Sequence, residues 1–205
     1  MIVIIDYGLG NLHSVEMAVK EVVYDNVIVS DDPKKLDDAS HIILPGVGSF
    51  QTGINNLTKN GFRDALDYNV KEKGKLFLGI CLGMQLLADT GEEGGKQDGL
   101  GYIPGRIAKF SCDSGLKVPH IGWNSTKFKR KSELFAGLGE SRDFYYVHSY
   151  YYEPKYEDHI LATASYGGTV TTALNKGNIF ATQFHPEKSQ EDGLQVLKNF
   201  LGMKD

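Results

Sequence analysis

The sequence predicts an α/β fold: a mostly parallel central sheet covered by helices on both faces, followed by a β-rich second half. Three observations carry this reading. Short, almost wholly apolar runs alternate with helix-period segments in the first hundred residues. Each apolar run stops at a glycine- or proline-bearing turn signal. Beyond about residue 100 the helical segments give way to closely spaced β-type runs. Fully apolar strands alternating with helices describe a sheet buried on both sides.

The elements follow in order. IVII (2–5) is a strand that ends at the glycine-rich DYGLGN (6–11). From Asn11 an amphipathic helix follows, with Leu12, Val15, Val19 and Val22 at helical spacing. VIV (27–29), HIILPG (41–46) and KLFLGI (75–80) are further strands, and LGMQLLAD (82–89) is the helix after the last of them. GYIPGRIAKF, VPHIGW, FYYVHSYYYE, ILATASY, TVTTALNK and NIFATQFHP form the β-rich half, with NKGN (175–178) as a hairpin turn. A last helix starts near Ser189, as its N-cap, and runs through LQVLKNFL. Neither repeat nor linker interrupts the 205 residues, so one domain over 1–205 is expected.

Composition narrows the function classes. A net charge of −4 is poor for a nucleic-acid binder, which usually carries a basic face. Two cysteines, Cys81 and Cys112, make no disulfide framework, so a reducing cytoplasmic setting is expected. No apolar run approaches the length of a membrane span, and MIVIID is too short for a signal peptide.

GICLGMQLL (79–87) raises the chemical question. G-I-C-L-G has the spacing of a nucleophile elbow, with Cys81 where a serine often stands, and it lies between a predicted strand and a predicted helix. Two glycines allow a sharp turn that projects the side chain, and the following helix N-terminus would favour thiolate. A buried structural cysteine is the competing reading. TQFHPEKS (182–189) adds His185 and Glu187, two residues apart at a predicted strand end and therefore on one face. Nucleophile, base and orienting carboxylate are then all present. One Cys, one His and one Glu without a second close pair is a poor zinc pattern, and no cofactor fingerprint is complete, so neither metal nor cofactor is expected.

PGVGSF (45–50) lies at another strand end and offers either backbone N–H groups to an oxyanion or simply a tight turn. The tyrosine-rich FYYVHSYYYEPKY reads as aromatic strands packed in a core or interface, and KFKRK (127–131) as a solvated loop.

Taken together, the elbow cysteine, PGVGSF and FHPEKS resemble the class I (triad-type) glutamine amidotransferases. That family hydrolyses glutamine through a cysteine thioester and passes ammonia to a second active site. Within it, DYGLGN, PGVGSF, GICLGMQLL, PHIGWN, YYVHSYY and TQFHPEKS, in this order, are similar to the glutaminase subunits that serve imidazole glycerol phosphate synthases in histidine biosynthesis. A paralogous subunit that supplies ammonia for amino sugars would keep the same motifs; a non-catalytic interaction module would have no need of all three triad residues.

The resemblance implies a role for each matching position. Cys81 is the nucleophile, His185 the base and then acid, and Glu187 its orienting carboxylate. The oxyanion hole comes from the backbone N–H of Leu82 and, after the strand at Pro45–Gly48 reorients, of Val47. Gly48, Gln85, Glu93 and the backbone of His148, Ser149 and Tyr150 bind glutamine. Gly10, Asn11, Trp123, Asn124, Tyr145 and Lys188 face a synthase (cyclase) subunit, an eight-stranded β/α barrel, in a heterodimer.

Overall fold

In the computed structural model, residues 1–23, 26–111 and 115–204 are described. The first half lays down β1 (Ile2–Ile5), α1 (Leu12–Val22), β2 (Val27–Ser30), β3 (His41–Leu44), α2 (Phe50–Lys59), α3 (Phe62–Leu66), β4 (Leu76–Ile80) and α4 (Leu82–Gln85). The second half adds β5 (Thr90–Gly91), β6 (Gln97–Asp98), β7 (Gly105–Lys109), β8 (His120–Phe128), β9 (Ser141–His148), β10 (Tyr150–Pro154), β11 (Ile160–Ser165), β12 (Thr169–Lys176), β13 (Ile179–Thr182) and α5 (Gln190–Gly202).

The sheet runs β2-β1-β3-β4-β13-β12-β10-β7-β5-β6, with β11, β8 and β9 branching from β12. Its first five strands are parallel. The antiparallel β12–β13 pair closes through the expected NKGN turn, with Lys176 opposite Ile179. Because successive strand residues point to opposite faces, each apolar run feeds two cores. Ile2 and Ile4 pack with Val15 and Val19 of α1 and Val196, Leu197 and Phe200 of α5. Val3 and Ile5 pack with Phe50, Ile54 and Leu57 of α2 and Phe62 and Leu66 of α3. An almost continuous apolar strand is what a sheet with helices on both sides requires.

One expectation is corrected here, and a second, the Ser189 N-cap, holds in position but not in its side-chain bond. The helix expected over 82–89 is a single turn, Leu82–Gln85. Leu87 and Ala88 already bond three residues back, and the Asp89 N–H leaves for the Gly105 carbonyl, which draws the chain toward β7. Ser189 precedes α5 as expected but makes no side-chain cap. Its hydroxyl instead donates to the His185 carbonyl (2.7 Å) and accepts the Tyr145 N–H (3.0 Å). That hydroxyl ties the turn bearing His185 to β9.

Candidate active site

β4 ends in the elbow. Cys81 has φ 54° and ψ −106°, and among the described residues only one other non-glycine residue, Gln190, has positive φ. Such a backbone costs of the order of 1–3 kcal/mol and persists only where its surroundings enforce it. Here they do. A Cβ on Gly79 would lie 2.7 Å from the Gly83 carbonyl oxygen, and one on Gly83 would lie 1.8 Å from that of Leu44. Both glycines of G-I-C-L-G are therefore steric necessities. The Cys81 N–H is fixed to the Thr182 carbonyl of β13 (2.8 Å), so the elbow sits beside the strand that leads to His185.

His185 and Glu187 do meet, by a different route from the one the sequence suggested. β13 ends at Thr182, and Pro186 starts a 3₁₀ turn over Pro186–Lys188, so no strand face sets the pair. The turn places His185 Nδ1 2.7 Å from Glu187 Oε1, with both side chains almost fully buried. A carboxylate at Nδ1 puts the proton there and leaves Nε2, which has no nitrogen or oxygen partner among the described residues, for the sulfur. Burial disfavours the imidazolium, but the hydrogen bonding and negative charge of Cys81 and Glu187 outweigh it and raise the His185 pKa well above the usual range. The short α4 adds little dipole at the sulfur, so the field there comes from these side chains.

Beside Cys81 opens a cavity of about 250 Å³ lined by Val47, Gly48, Leu82, Gln85, Glu93, His148, Ser149 and Tyr150. Every residue expected in the oxyanion hole and the glutamine pocket thus meets at one place. Pro119 and Val147 complete the wall. Glu93 Oε2 accepts the Phe50 N–H (2.8 Å), which anchors its loop to the start of α2.

The turn at Gly46–Gly48 is in a state that sequence alone could not reveal. The Leu82 N–H donates to the Gly46 carbonyl oxygen (3.3 Å), so that donor is occupied. Val47 is 41% exposed, and Gly48 has φ +122°.

Of the residues expected at a partner face, Trp123 is half exposed and meets the Tyr145 ring edge-on at 6.2 Å. Lys188 Nζ lies 5.8 Å from that ring's centroid. Asn11 accepts the Ser14 N–H as the N-cap of α1, and Gly10 (φ +118°) packs beside Gly46. Asn124 departs from this group. Alternation along β8 turns its amide away from Trp123, to His120 (3.1 Å) and the Ser165 carbonyl (3.1 Å). Cys112 lies outside the described residues.

One side chain at the sulfur escaped the sequence reading. Gln183, fully buried, donates Nε2–H to Cys81 Sγ (3.6 Å) and accepts from Gln85 (3.1 Å). Its place two residues before His185 was a signal, but nothing in the spacing says that it turns toward Cys81.

Comparison with known proteins agrees with this geometry. The family model for glutamine amidotransferase class-I matches residues 3–203. The chain belongs to the class I glutamine amidotransferase family.

Within the family this amidotransferase is 47% identical to imidazole glycerol phosphate synthase subunit HisH of Syntrophotalea carbinolica, over 99% of this chain and 100% of the relative. It is 47% identical to the protein of that name from Moorella thermoacetica, over 97% and 93% of the two chains. Among solved structures, the amidotransferase resembles a glutamine amidotransferase crystal structure with TM-score 0.75 at 18% identity, covering 97% and 96% of the two chains. It also resembles the structure of PurLQS from Thermotoga maritima, with TM-score 0.70 at 22% identity, covering 98% and 96%. These two likenesses speak for the α/β fold.

Proposed function

We propose that the chain is the glutaminase subunit of an imidazole glycerol phosphate synthase, a single amidotransferase domain working in the cytoplasm in a heterodimer with a β/α-barrel synthase subunit. The observation that carries this is that Cys81 lines a cavity with Gln85 and residues 148–150 while the paired His185 and Glu187 stand behind it, His185 hydrogen-bonded to the sulfur. The full-length relatives named for that synthase support the choice of pathway.

Amide hydrolysis needs an activated nucleophile, a stabilised tetrahedral oxyanion and a proton for the leaving amine. Cys81 attacks the side-chain carboxamide of glutamine. His185, held by Glu187 with Nε2 toward the sulfur, gives its proton to the departing ammonia. A water activated by the now neutral imidazole then resolves the thioester to glutamate. Ammonia must leave unprotonated to remain a nucleophile, so release toward a covering partner suits the chemistry. Trp123, Tyr145 and Lys188, together with the 8–11 loop, are the surface that supports such a contact.

The test is glutamate release by the purified chain in the presence of its co-purified synthase subunit, with formation of the cyclised product followed in the same reaction. Glutamine-driven product formation supports the proposal. Glutamate release without any transfer to the imidazole-forming acceptor would assign the subunit to another synthase.

A further inference from the structure

We propose that Gln183 is a positioning residue of the hydrolytic site, fixing the Cys81 sulfur through its amide N–H and fixing Gln85 so that only a carbonyl oxygen faces the substrate. This rests on the reading of Cys81 as nucleophile and goes beyond it, because neither the triad nor the oxyanion turn requires Gln183.

The direction of every hydrogen bond in this group follows from one acceptor. The Tyr150 carbonyl oxygen lies 3.0 Å from the Gln85 amide and 2.8 Å from His148 Nδ1. A carbonyl can only accept, so Gln85 must present its NH₂ there, and His148 must carry its proton on Nδ1. The second hydrogen of the Gln85 NH₂ reaches Gln183 at 3.1 Å. Gln183 must accept it, so Oε1 faces Gln85 and the NH₂ of Gln183 faces the sulfur, 3.6 Å away. No amide in this group is free to flip.

The other arm extends the same logic outward. With its proton on Nδ1, neutral His148 accepts at Nε2 from His120 Nδ1–H (2.9 Å). His120 Nε2 in turn accepts from Asn124 Nδ2–H (3.1 Å). Tyr166 stacks on the His120 ring at 3.8 Å, and the Tyr146 ring lies at 4.7 Å. A rigid chain therefore holds the Tyr150 carbonyl, and through it Gln85 and Gln183.

Two consequences bear on the reaction. An N–H aimed at the sulfur stabilises thiolate relative to thiol, because hydrogen bonding to the charged form favours it. A Gln85 with both N–H bonds committed offers only Oε1 to a ligand in the cavity. A carboxamide NH₂ can donate to that oxygen, whereas the carboxylate of the product glutamate cannot. Gln183 thereby contributes both to the nucleophile and to the preference for amide over acid.

Two variants separate these roles. Gln183→Glu keeps an acceptor for Gln85 but sets a carboxylate oxygen against the sulfur; Gln183→Met keeps the volume and removes both bonds. Iodoacetamide alkylation of Cys81, resolved at its own peptide by mass spectrometry, is followed against pH in the full chain. The other titratable groups around the sulfur, His185, Glu187 and Tyr7, are unchanged in both variants. Glutamine kcat and KM and inhibition by glutamate are measured with the synthase subunit bound. The expected result for Gln183→Glu is at least tenfold slower alkylation at pH 7, a reactivity midpoint moved to higher pH, and kcat down tenfold or more with KM within about threefold. For Gln183→Met, KM rises as well and glutamate inhibits more strongly relative to glutamine binding. Should one variant fail to fold by circular dichroism, the other decides. Folded variants with wild-type alkylation profiles and kcat within twofold, and only a lower Tm, would overturn the proposal. A wild-type complex that releases no glutamate would instead refute the hydrolytic reading, while the alkylation profiles still judge Gln183.

Discussion

The backbone N–H of Leu82 donates to the carbonyl oxygen of Gly46 at 3.3 Å. In a hydrolase built on Cys81, that N–H follows the nucleophile directly in the chain and is the expected oxyanion donor, and here a carbonyl occupies it. A carbonyl oxygen repels a developing negative charge. On the proposed reading, the peptide between Gly46 and Val47 is expected to turn over during catalysis, which would free the Leu82 N–H and bring the Val47 N–H toward the site.

The isolated chain is accordingly expected to hydrolyse glutamine slowly and to gain about 10²–10³-fold in rate when the synthase subunit is bound, the usual worth of an oxyanion donor. The glycines on either side of Val47 leave the turn free to reorient; Gly48 already sits at φ +122°. Binding must favour the turned-over state by a comparable amount, since a partner shifts an equilibrium only by its differential affinity. Glutamate release by the chain alone and with its partner measures this. Equal rates would remove the gate and leave the triad standing.

Glu187→Gln keeps a hydrogen-bonding oxygen near His185 Nδ1 but removes the charge that stabilises the imidazolium. The expected loss in kcat is about 10²–10⁴-fold, less than that of Cys81→Ala, because orienting the base is secondary to supplying the nucleophile. Steady-state kinetics of both variants in the complex check the ranking. A silent Glu187→Gln would show that the 2.7 Å contact is structural only.

Much of this was legible in the sequence, for physical reasons. Gly79 and Gly83 announce the elbow because no other residue fits against Gly83 and Leu44. Apolar runs such as IVII announce strands buried on both faces. What escaped depended on long-range contacts. The Asp89–Gly105 bond ends α4 early, and Pro186 makes a 3₁₀ turn where a strand end was expected. Asn124 follows β8 inward, away from Trp123, and Gln183 reaches Cys81 across 102 positions. No local pattern encodes those.

Acid should destabilise the protein through the buried His120–His148 pair. Burial lowers His148 to about 3 and His120 to about 4, against an ordinary value of 6.5. A base whose folded pKa is depressed is neutral in the folded state and protonated in the unfolded chain over that window. Their contribution is therefore present above about pH 6.5 and is lost as pH falls toward 4 and then 3. At the steepest, two extra protons on the unfolded chain weaken stability by about 3 kcal/mol per pH unit. His185 is shifted the other way, so its contribution is complete below pH 6.5 and fades only as pH rises above it. Denaturant midpoints of the wild type and of His148→Gln between pH 7 and 4.5 test this; the variant should show about half the histidine-linked slope. Parallel curves would refute it.

Gly83→Ala should disrupt the elbow without touching a reacting group. Its Cβ would stand 1.8 Å from the Leu44 carbonyl oxygen, backbone that belongs to β3 and cannot step aside cheaply. A loss of about 2–4 kcal/mol is expected, in the range of overpacked cores and strained backbone. Chemical denaturation measures it, and an unchanged midpoint would mean that the elbow relaxes freely.

The most direct measurement is made on the Cys81→Ala complex, with glutamate release and the synthase subunit's ammonia-dependent turnover followed side by side. Glutamate release should vanish while turnover supplied with free ammonia stays close to wild type, because the nucleophile serves only the first of two separate sites. Continued glutamate release from that variant would contradict the account at its centre.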